Sequence, residues 1–460
     1  MSEPLMQPWL HDRSILVSAP AQVWADSDGT IGTRAIDGIF FGDRRVFSGY
    51  RFELGDVEPA HVATERVDSA TTRIVALARQ FSGPTADPRV LVERRRTLTP
   101  GRLTETIRVA NALPTPVETT LRVALVAADD DMQAVKGGEP SVPVDIVASE
   151  HAWSAVGATG TRATVSADGA RGDAQGPVLS LMWDIRIPAN ELVTVSWRLD
   201  LGGTSLVDAA QSDAEWADVQ VRTGDPRVGR WLERSLSDLE KLRMVVRTDH
   251  ADQEFLAAGA PWYFTLFGRD SLWAARFMLP LGTRLAEGTL STLAERQGTR
   301  TVPETAEQPG KILHELRAAT VNDATGNTVL PPLYYGTIDA TCLWISLLAE
   351  AWDWGMPEDS IRTLLPNLEA ALRWMDEFGD ADGDGFLEYQ DVTGHGLANQ
   401  GWKDSSDSVQ WNDGTLAQGP IALCEVQGYA YKAALDGARL LEHFGRPGAQ
   451  HWRQWAAELK

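Results

Sequence analysis

Residues 226–242 read PRVGRWLERSLSDLEKL, and within them the apolar spacing of the chain changes. Val228, Trp231, Leu232, Leu236, Leu239 and Leu242 recur at three- and four-residue steps, which places them on one stripe of a helix. Upstream the rule is different. Between residues 14 and 201 short β-branched segments alternate apolar and polar positions: 45–54, 72–78, 90–98, 103–110, 117–126 and 192–201. Ser27-Asp28-Gly29, Thr99-Pro100-Gly101, Asp168-Gly169 and Gly172-Asp173 separate them as turn signals. Downstream, helical stretches fall at 270–279, 284–297, 339–354, 358–378, 420–444 and 449–460, with Ile361, Leu364, Leu365, Leu368, Leu372 and Met375 forming the clearest stripe. The fold class is therefore multidomain β + α: an N-terminal antiparallel β-sandwich over 1–215, then a helical domain over 226–460.

A chain of 460 residues suits two domains, by the usual size prior. No uninterrupted apolar run reaches the roughly 18 residues of a membrane span. The opening MSEPLMQPWLHDRS lacks the basic and apolar regions of a secretion signal, and only Cys342 and Cys424 occur, so a cytoplasmic location is expected. Both cysteines stand in apolar, helical contexts and are read as packing thiols rather than as a disulfide. Sixty-four acidic against 42 basic residues leave a net charge of −22, which excludes nucleic acid as a partner because phosphate binding needs clustered Lys and Arg. Seventeen tryptophans, several beside Gly, Asp and Asn, suit stacking on sugar rings, although core filling accounts for many of them.

Three connections between the helices, 251–268, 298–338 and 379–419, are longer than ordinary helix-to-helix links and are where function is expected. The first leads through GAPWYFTLFGRDS, in which Trp262 and its aromatic neighbours precede Arg269 and Asp270. An Arg–Asp pair beside aromatics suits sugar hydroxyls, while Asp270 alone could cap the following helix. The second connection carries Lys311, His314, Glu315 and Arg317, with His314 and Glu315 read as one short helix, then Tyr335 and Asp339 before a helix that Asp339 could cap. In the third, Asp380, Asp382 and Asp384 with Gly385 match the first half of a calcium loop, with Glu388 and Asp391 at its ninth and twelfth positions. A structural Ca²⁺ and a metal-free Asp/Gly turn are the two readings of that stretch, and no other cofactor is expected. Gly401-Trp402-Lys403-Asp404-Ser405 sets a carboxylate beside a tryptophan and a lysine. Glycoside hydrolysis needs one carboxylic acid to protonate the leaving oxygen and one carboxylate to activate water or attack carbon, and Asp404 fits the acid, a turn or cap being its structural alternative.

Five segments, FGRDSLWAA, YYGTIDAT, DGDGFLEY, LANQGWKDS and PIALCEVQGYAY, resemble in order the helical domain of bacterial amylo-α-1,6-glucosidases (glycogen-debranching enzymes) and the wider trehalase-like glycosidases. The resemblance extends over about 226–445, and GDRRVFSGYRFELGD looks like the family's preceding β-sandwich. It implies an (α/α)6 barrel and inversion at the anomeric carbon, with Asp404 as general acid and Arg269 with Asp270 gripping the sugar. Tyr335, Asp339, Glu388, Tyr389, Gln400, Trp402 and Glu425 fall on motifs that line the family's pocket. Trp262, Glu315 and Lys403 join them as expected sugar contacts. About seven helices fit where such a barrel has twelve, so the barrel is expected to be incomplete and the family's basic Glu to lie beyond Lys460, with Glu425 the one nearby substitute. The expected partner is an oligosaccharide or polysaccharide of the glycogen or malto-oligosaccharide kind. The alternatives are a hydrolase of small glycosides such as trehalose or glucosylglycerate, or a non-catalytic carbohydrate-binding fragment.

Overall fold

The computed structural model describes residues 8–82, 87–150, 152–203, 205–247, 253–322 and 328–460. The first seven residues lie outside the described residues, as do 251–252 of the first long connection and 323–327 of the second. The chain divides into two compact units. One comprises Met1–Ala209, Val221–Leu242 and Ala260–Phe264; the other comprises Ala210–Gln220, Arg243–Gly259 and Thr265–Lys460.

In the first unit two antiparallel sheets share one core. One sheet runs Ser14–Ser18, Ala21–Ala25, Gly38–Phe41, Arg44–Leu54, Val117–Asp131, Val178–Ile187, Arg171–Gln175. Its counterpart runs Val147–Ala148, Trp153–Val156, Arg162–Ser166, Leu192–Gly202, Arg102–Asn111, Val90–Thr99, Thr71–Leu77, Ala60–Arg66. Alternation explains the layering. Along Val178–Ile187 the side chains of Leu179, Leu181, Trp183, Ile185 and Ile187 are buried while their neighbours face outward, and the residues facing in from both sheets form a single cluster. The Pro100-Gly101 turn joins Val90–Thr99 to Arg102–Asn111 as a hairpin in register Thr99 to Arg102, with Gly101 at φ +70°.

Three of the inward positions of that hairpin, Arg94, Arg96 and Glu105, are charged. Arg96 Nε donates to Glu105 Oε1 at 2.9 Å, while Tyr50 Oη and Trp197 Nε1 donate to Glu105 Oε2 at 2.6 and 2.8 Å. Burial alone would raise the Glu105 carboxyl. The charges of Arg96 and Arg94 and the two hydrogen bonds bring it below its ordinary value instead. A smaller cluster in the same unit packs Trp24, Ile36, Phe40, Met132 and Val135 around Trp262. It includes the short helix α1 (Met132–Lys136), which Asp131 caps by accepting from Gln133 N.

Helix α2 (Pro226–Glu240) starts at the expected proline, with Asp225 accepting from Arg227 N as its cap. Its stripe is only half covered. Leu236 is buried, whereas Val228 and Trp231 are exposed, and the helix groups with the strand unit.

The second unit contains α3 (Gly268–Met278), α4 (Arg284–Ala294), α5 (Ala340–Asp353), α6 (Glu358–Glu377), α7 (Cys424–His443) and α8 (Ala449–Leu459). Helix α5, ATCLWISLLAEAWD, is apolar on every side and accordingly lies in the middle, packed on α3, α4, α6 and α7. Its Glu350 accepts from Arg276 of α3 at 2.6 and 2.7 Å and pairs with Lys432 of α7 at 3.2 Å, tying three helices together. Helix α6 buries the stripe expected of it. Cys342 is a buried free thiol, pushed up by burial, but Cys424 is free and exposed, so it is not the packing residue its neighbours suggested. Among the described residues no helix is long and apolar enough to cross a membrane.

Candidate active site

Three of the loops that enter helices meet at Arg269. The start of α3 is held against the second connection: Gly268 N donates to His314 O at 2.8 Å, and a Cβ at Gly268 would come within 2.1 Å of Leu313 O, so only glycine allows the approach. Arg269 is thereby buried at the head of the helix. Its Nη1 donates to Asp339 Oδ2 at 3.1 Å and to the Gly401 carbonyl at 2.6 Å, and its Nη2 donates to Asp404 Oδ2 at 3.4 Å. Trp402 covers the guanidinium, 5.5 Å from the ring centroid. Asp339 stands at the cap position of α5 but makes no capping hydrogen bond; Thr337 Oγ1 donates to its other oxygen at 2.7 Å. Both Arg269 and Asp339 are withdrawn from solvent, while the Asp404 side chain is 43% exposed. Asp404 is therefore the carboxyl of the pair that a ligand can reach.

Asp270 lies in the first turn of α3, whose cap position is Phe267, so it is not the cap. Burial raises its carboxyl above the ordinary range, with the charges of Asp339 and Asp404 adding and that of Arg269 opposing. Glu425 opens α7, and its charge reaches the same neighbourhood. The Tyr429 phenol, one turn further on, is raised first by burial and then by Asp339 and Glu425, against Arg269 and Arg276. A Cβ on Gly401 would sit 3.9 Å from Glu425 Oε1. Tyr429, Thr337 and the Gly401 carbonyl were not singled out from sequence. The four-residue step from Glu425 to Tyr429 on one helix face was the signal available for the first.

The other expected contacts are placed elsewhere. Trp262 is not a sugar contact of this cluster: it fills the apolar cluster of the strand unit, because Ala260–Phe264 returns to that unit. Glu315 is buried and paired with Arg317 at 3.0 Å on a short strand that pairs with Leu333–Tyr334, so the stretch is extended rather than helical. Buried His314, edge-on to Phe267 and Tyr334, is lowered to about 3 by burial and by nearby Arg269, Arg317 and Lys311. Tyr335 gives its hydroxyl to the Arg296 carbonyl at 2.7 Å. Lys403 is exposed. Tyr389 donates to Asn399 Oδ1 at 2.7 Å, and Asn399 Nδ2 donates to the Ser405 carbonyl at 2.7 Å, which braces the Asp404 segment from behind.

In the Asp-rich turn, Asp380, Asp382, Asp384 and Glu388 each bring an oxygen within 4.8 Å of the others, a donor set of the type hard cations take. The same carboxylates accept backbone N–H groups: Asp380 from Gly383 and Gly385, Asp382 from Asp384, Asp384 from Phe386, and Glu388 from Ala381 and Asp382. Asp391 is outside that group and binds Thr393 and Gly396.

Residues 16–198 match the family model described as the N-terminal domain of (some) glycogen debranching enzymes. Over those residues the chain is similar to glycogen debranching enzymes. Among solved structures, a bacterial glucoamylase complexed with acarbose superposes with a TM-score of 0.54 at 10% identity, over 100% of this chain and 68% of that one. A protein named as a kojibiose phosphorylase, from human microbiome, superposes with a TM-score of 0.58 at 8% identity, over 100% of this chain and 70% of that one. At these identities the likeness is one of fold. No protein of curated function matches the sequence.

Proposed function

We propose that the chain cleaves α-glucosidic bonds of glycogen-like or malto-oligosaccharide substrates by an inverting acid/base route, with Asp404 as the acid, on helices that form part of an (α/α)6 barrel. The observation that carries this reading is the partly exposed Asp404 carboxyl at the outer end of the buried Arg269–Asp339 pair. An acid that protonates a leaving oxygen becomes a carboxylate, and a guanidinium fixed by Asp339 and the Gly401 carbonyl stabilises that product without having to move. Trp402, exposed over the guanidinium, offers an aromatic face to a sugar ring. Asp270 and Glu425 supply acceptors for hydroxyls, while Asp339 holds Arg269 in place. Glu425 is the nearby carboxylate that would substitute for the family's base, a role that requires it to stand about 6.5 to 9.5 Å from the acid across the bound sugar. Similarity to the debranching-enzyme N-terminal domain and a fold shared with a glucoamylase support glucosides as the class.

Glucose release from isomaltose, panose, trehalose and a limit dextrin tests the reading. Turnover of isomaltose, panose or dextrin is the expected result, and trehalose alone would move the assignment to small glycosides. Asp404→Asn is expected to abolish release while retaining sugar binding; release at the parent rate would remove Asp404 from the role. Binding with no turnover of any substrate would leave a carbohydrate-binding chain.

A further inference from the structure

Near the Arg269 cluster the second unit holds an open-mouthed cavity of about 280 Å³, which Trp374, Phe378 and Tyr389 wall on the apolar side. A backbone contact joins the two. Ile338 N donates to Gln400 O at 2.9 Å; both residues line the cavity, and their chain neighbours Asp339 and Gly401 are the partners of Arg269.

The polar groups of the lining are unevenly occupied. Glu307 accepts from Thr299 N and Arg300 N, Glu388 from Ala381 N and Asp382 N, and Asp391 from Thr393 N and Gly396 N. Among the described residues Lys311, 6% exposed, has one hydrogen-bond acceptor, the Ala306 carbonyl at a long 3.4 Å, and its Nζ stands 5.7 Å from the centroid of the Trp374 ring, although an ammonium offers three donors. A side chain so buried and so weakly satisfied is costly unless something else accepts from it. Burial also lowers its ammonium to about 7.

We propose that this cavity is a second sugar pocket, taking one neutral pyranose or polyol whose hydroxyls accept from Lys311 while its C–H face packs on the aromatic wall. The ligand is uncharged for an electrostatic reason. An anion would face the three carboxylates, and a cation would find them already engaged and Lys311 opposing it. The size, just under the roughly 300 to 1,000 Å³ of ordinary ligand sites, suits a single ring. The choice of a sugar over another polyol rests on the carbohydrate reading above; the site itself does not require hydrolysis.

The test is a footprint on the full chain. Acetic anhydride is applied with and without glucose, and acetylation of each lysine is followed by mass spectrometry. Glucose is expected to slow modification of Lys311 several-fold, with Lys241 and Lys460 unaffected, and succinate is expected to give no protection. Val302→Trp, which fills the cavity from its lining, is expected to remove the effect of glucose. Equal Lys311 rates with and without glucose overturn the proposal, as does protection by succinate alone. Because the readout is local to Lys311, it fails or succeeds independently of glucose release from the substrate panel.

Discussion

Arg269 divides its guanidinium among Asp339, the Gly401 carbonyl and Asp404, and the three contacts are not equivalent. With Asp339 it is a buried pair, so Arg269→Ala strands a carboxylate in the interior and is expected to cost about 3 to 5 kcal/mol in denaturant unfolding. Asp404→Asn touches a partly solvated partner and is expected to cost about 1 kcal/mol or less. Equal losses would mean that Asp404 is as structural as Asp339. A pH signature belongs to Lys311. Its folded value is depressed to about 7 from an ordinary 10.5, so between those values the unfolded chain holds the proton that the native chain has released. Stability is therefore expected to rise with pH across that window, and Lys311→Met to flatten the rise; an unchanged slope would place the titration elsewhere. Arg269 and Asp339 stand where a polar loop meets an apolar helix, a signal that sequence carries, whereas Asp404 lies inside the long connection before α7 and stood out by its Trp402 and Lys403 neighbours. Trp262 is buried in an apolar cluster, and in sequence an aromatic-rich loop looks the same whether it lines a pocket or returns to a core.

Helix α7 contains two glycines with opposite surroundings. A Cβ on Gly437 would meet the Leu372 side chain of α6 at 2.8 Å, whereas nothing lies within 4 Å of one on Gly428. Gly437→Ala is therefore expected to destabilise by about 1 to 3 kcal/mol through overpacking. Gly428→Ala is expected to stabilise by about 0.5 to 1 kcal/mol, because alanine loses less backbone freedom in a helix. Thermal midpoints of the two variants check the sign, and a shared sign would refute the packing of α7 on α6. In the Asp-rich turn the backbone N–H groups already satisfy both oxygens of Asp380 and one each of Asp382, Asp384 and Glu388, so the turn is expected to hold without metal and a chelator to leave the midpoint unchanged. A rise in midpoint on adding calcium would reverse that. Elements with several periods were readable, such as α6 with its unbroken stripe. The short strand at Glu315–Leu316 was not, since two residues carry no period and its pairing with Leu333–Tyr334 is long-range. Val178–Ile187 alternates over ten residues and could have been read.

At the scale of the molecule, the change of period at residue 226 marked the end of the two large sheets, but not the company its helix keeps. A stripe in sequence says that a face is apolar, and only the tertiary contacts of α2 group it with the strand unit, leaving Trp231 exposed. Net charge is the property that needed no structure. The basic residues are largely engaged by acidic partners at short range, as in Arg243–Glu254, Arg276–Glu350 and Arg439–Asp353. The acidic excess behind the charge of −22 is left to repel itself over longer distances. Salt screens long-range repulsion between exposed charges more than it weakens buried pairs, because the Debye length falls from about 30 Å at 0.01 M to about 3 Å at 1 M. Raising sodium chloride across that range is therefore expected to raise the thermal midpoint. A fall would mean that the surface ion pairs outweigh the repulsion, and that the acidic excess has a local partner in solution.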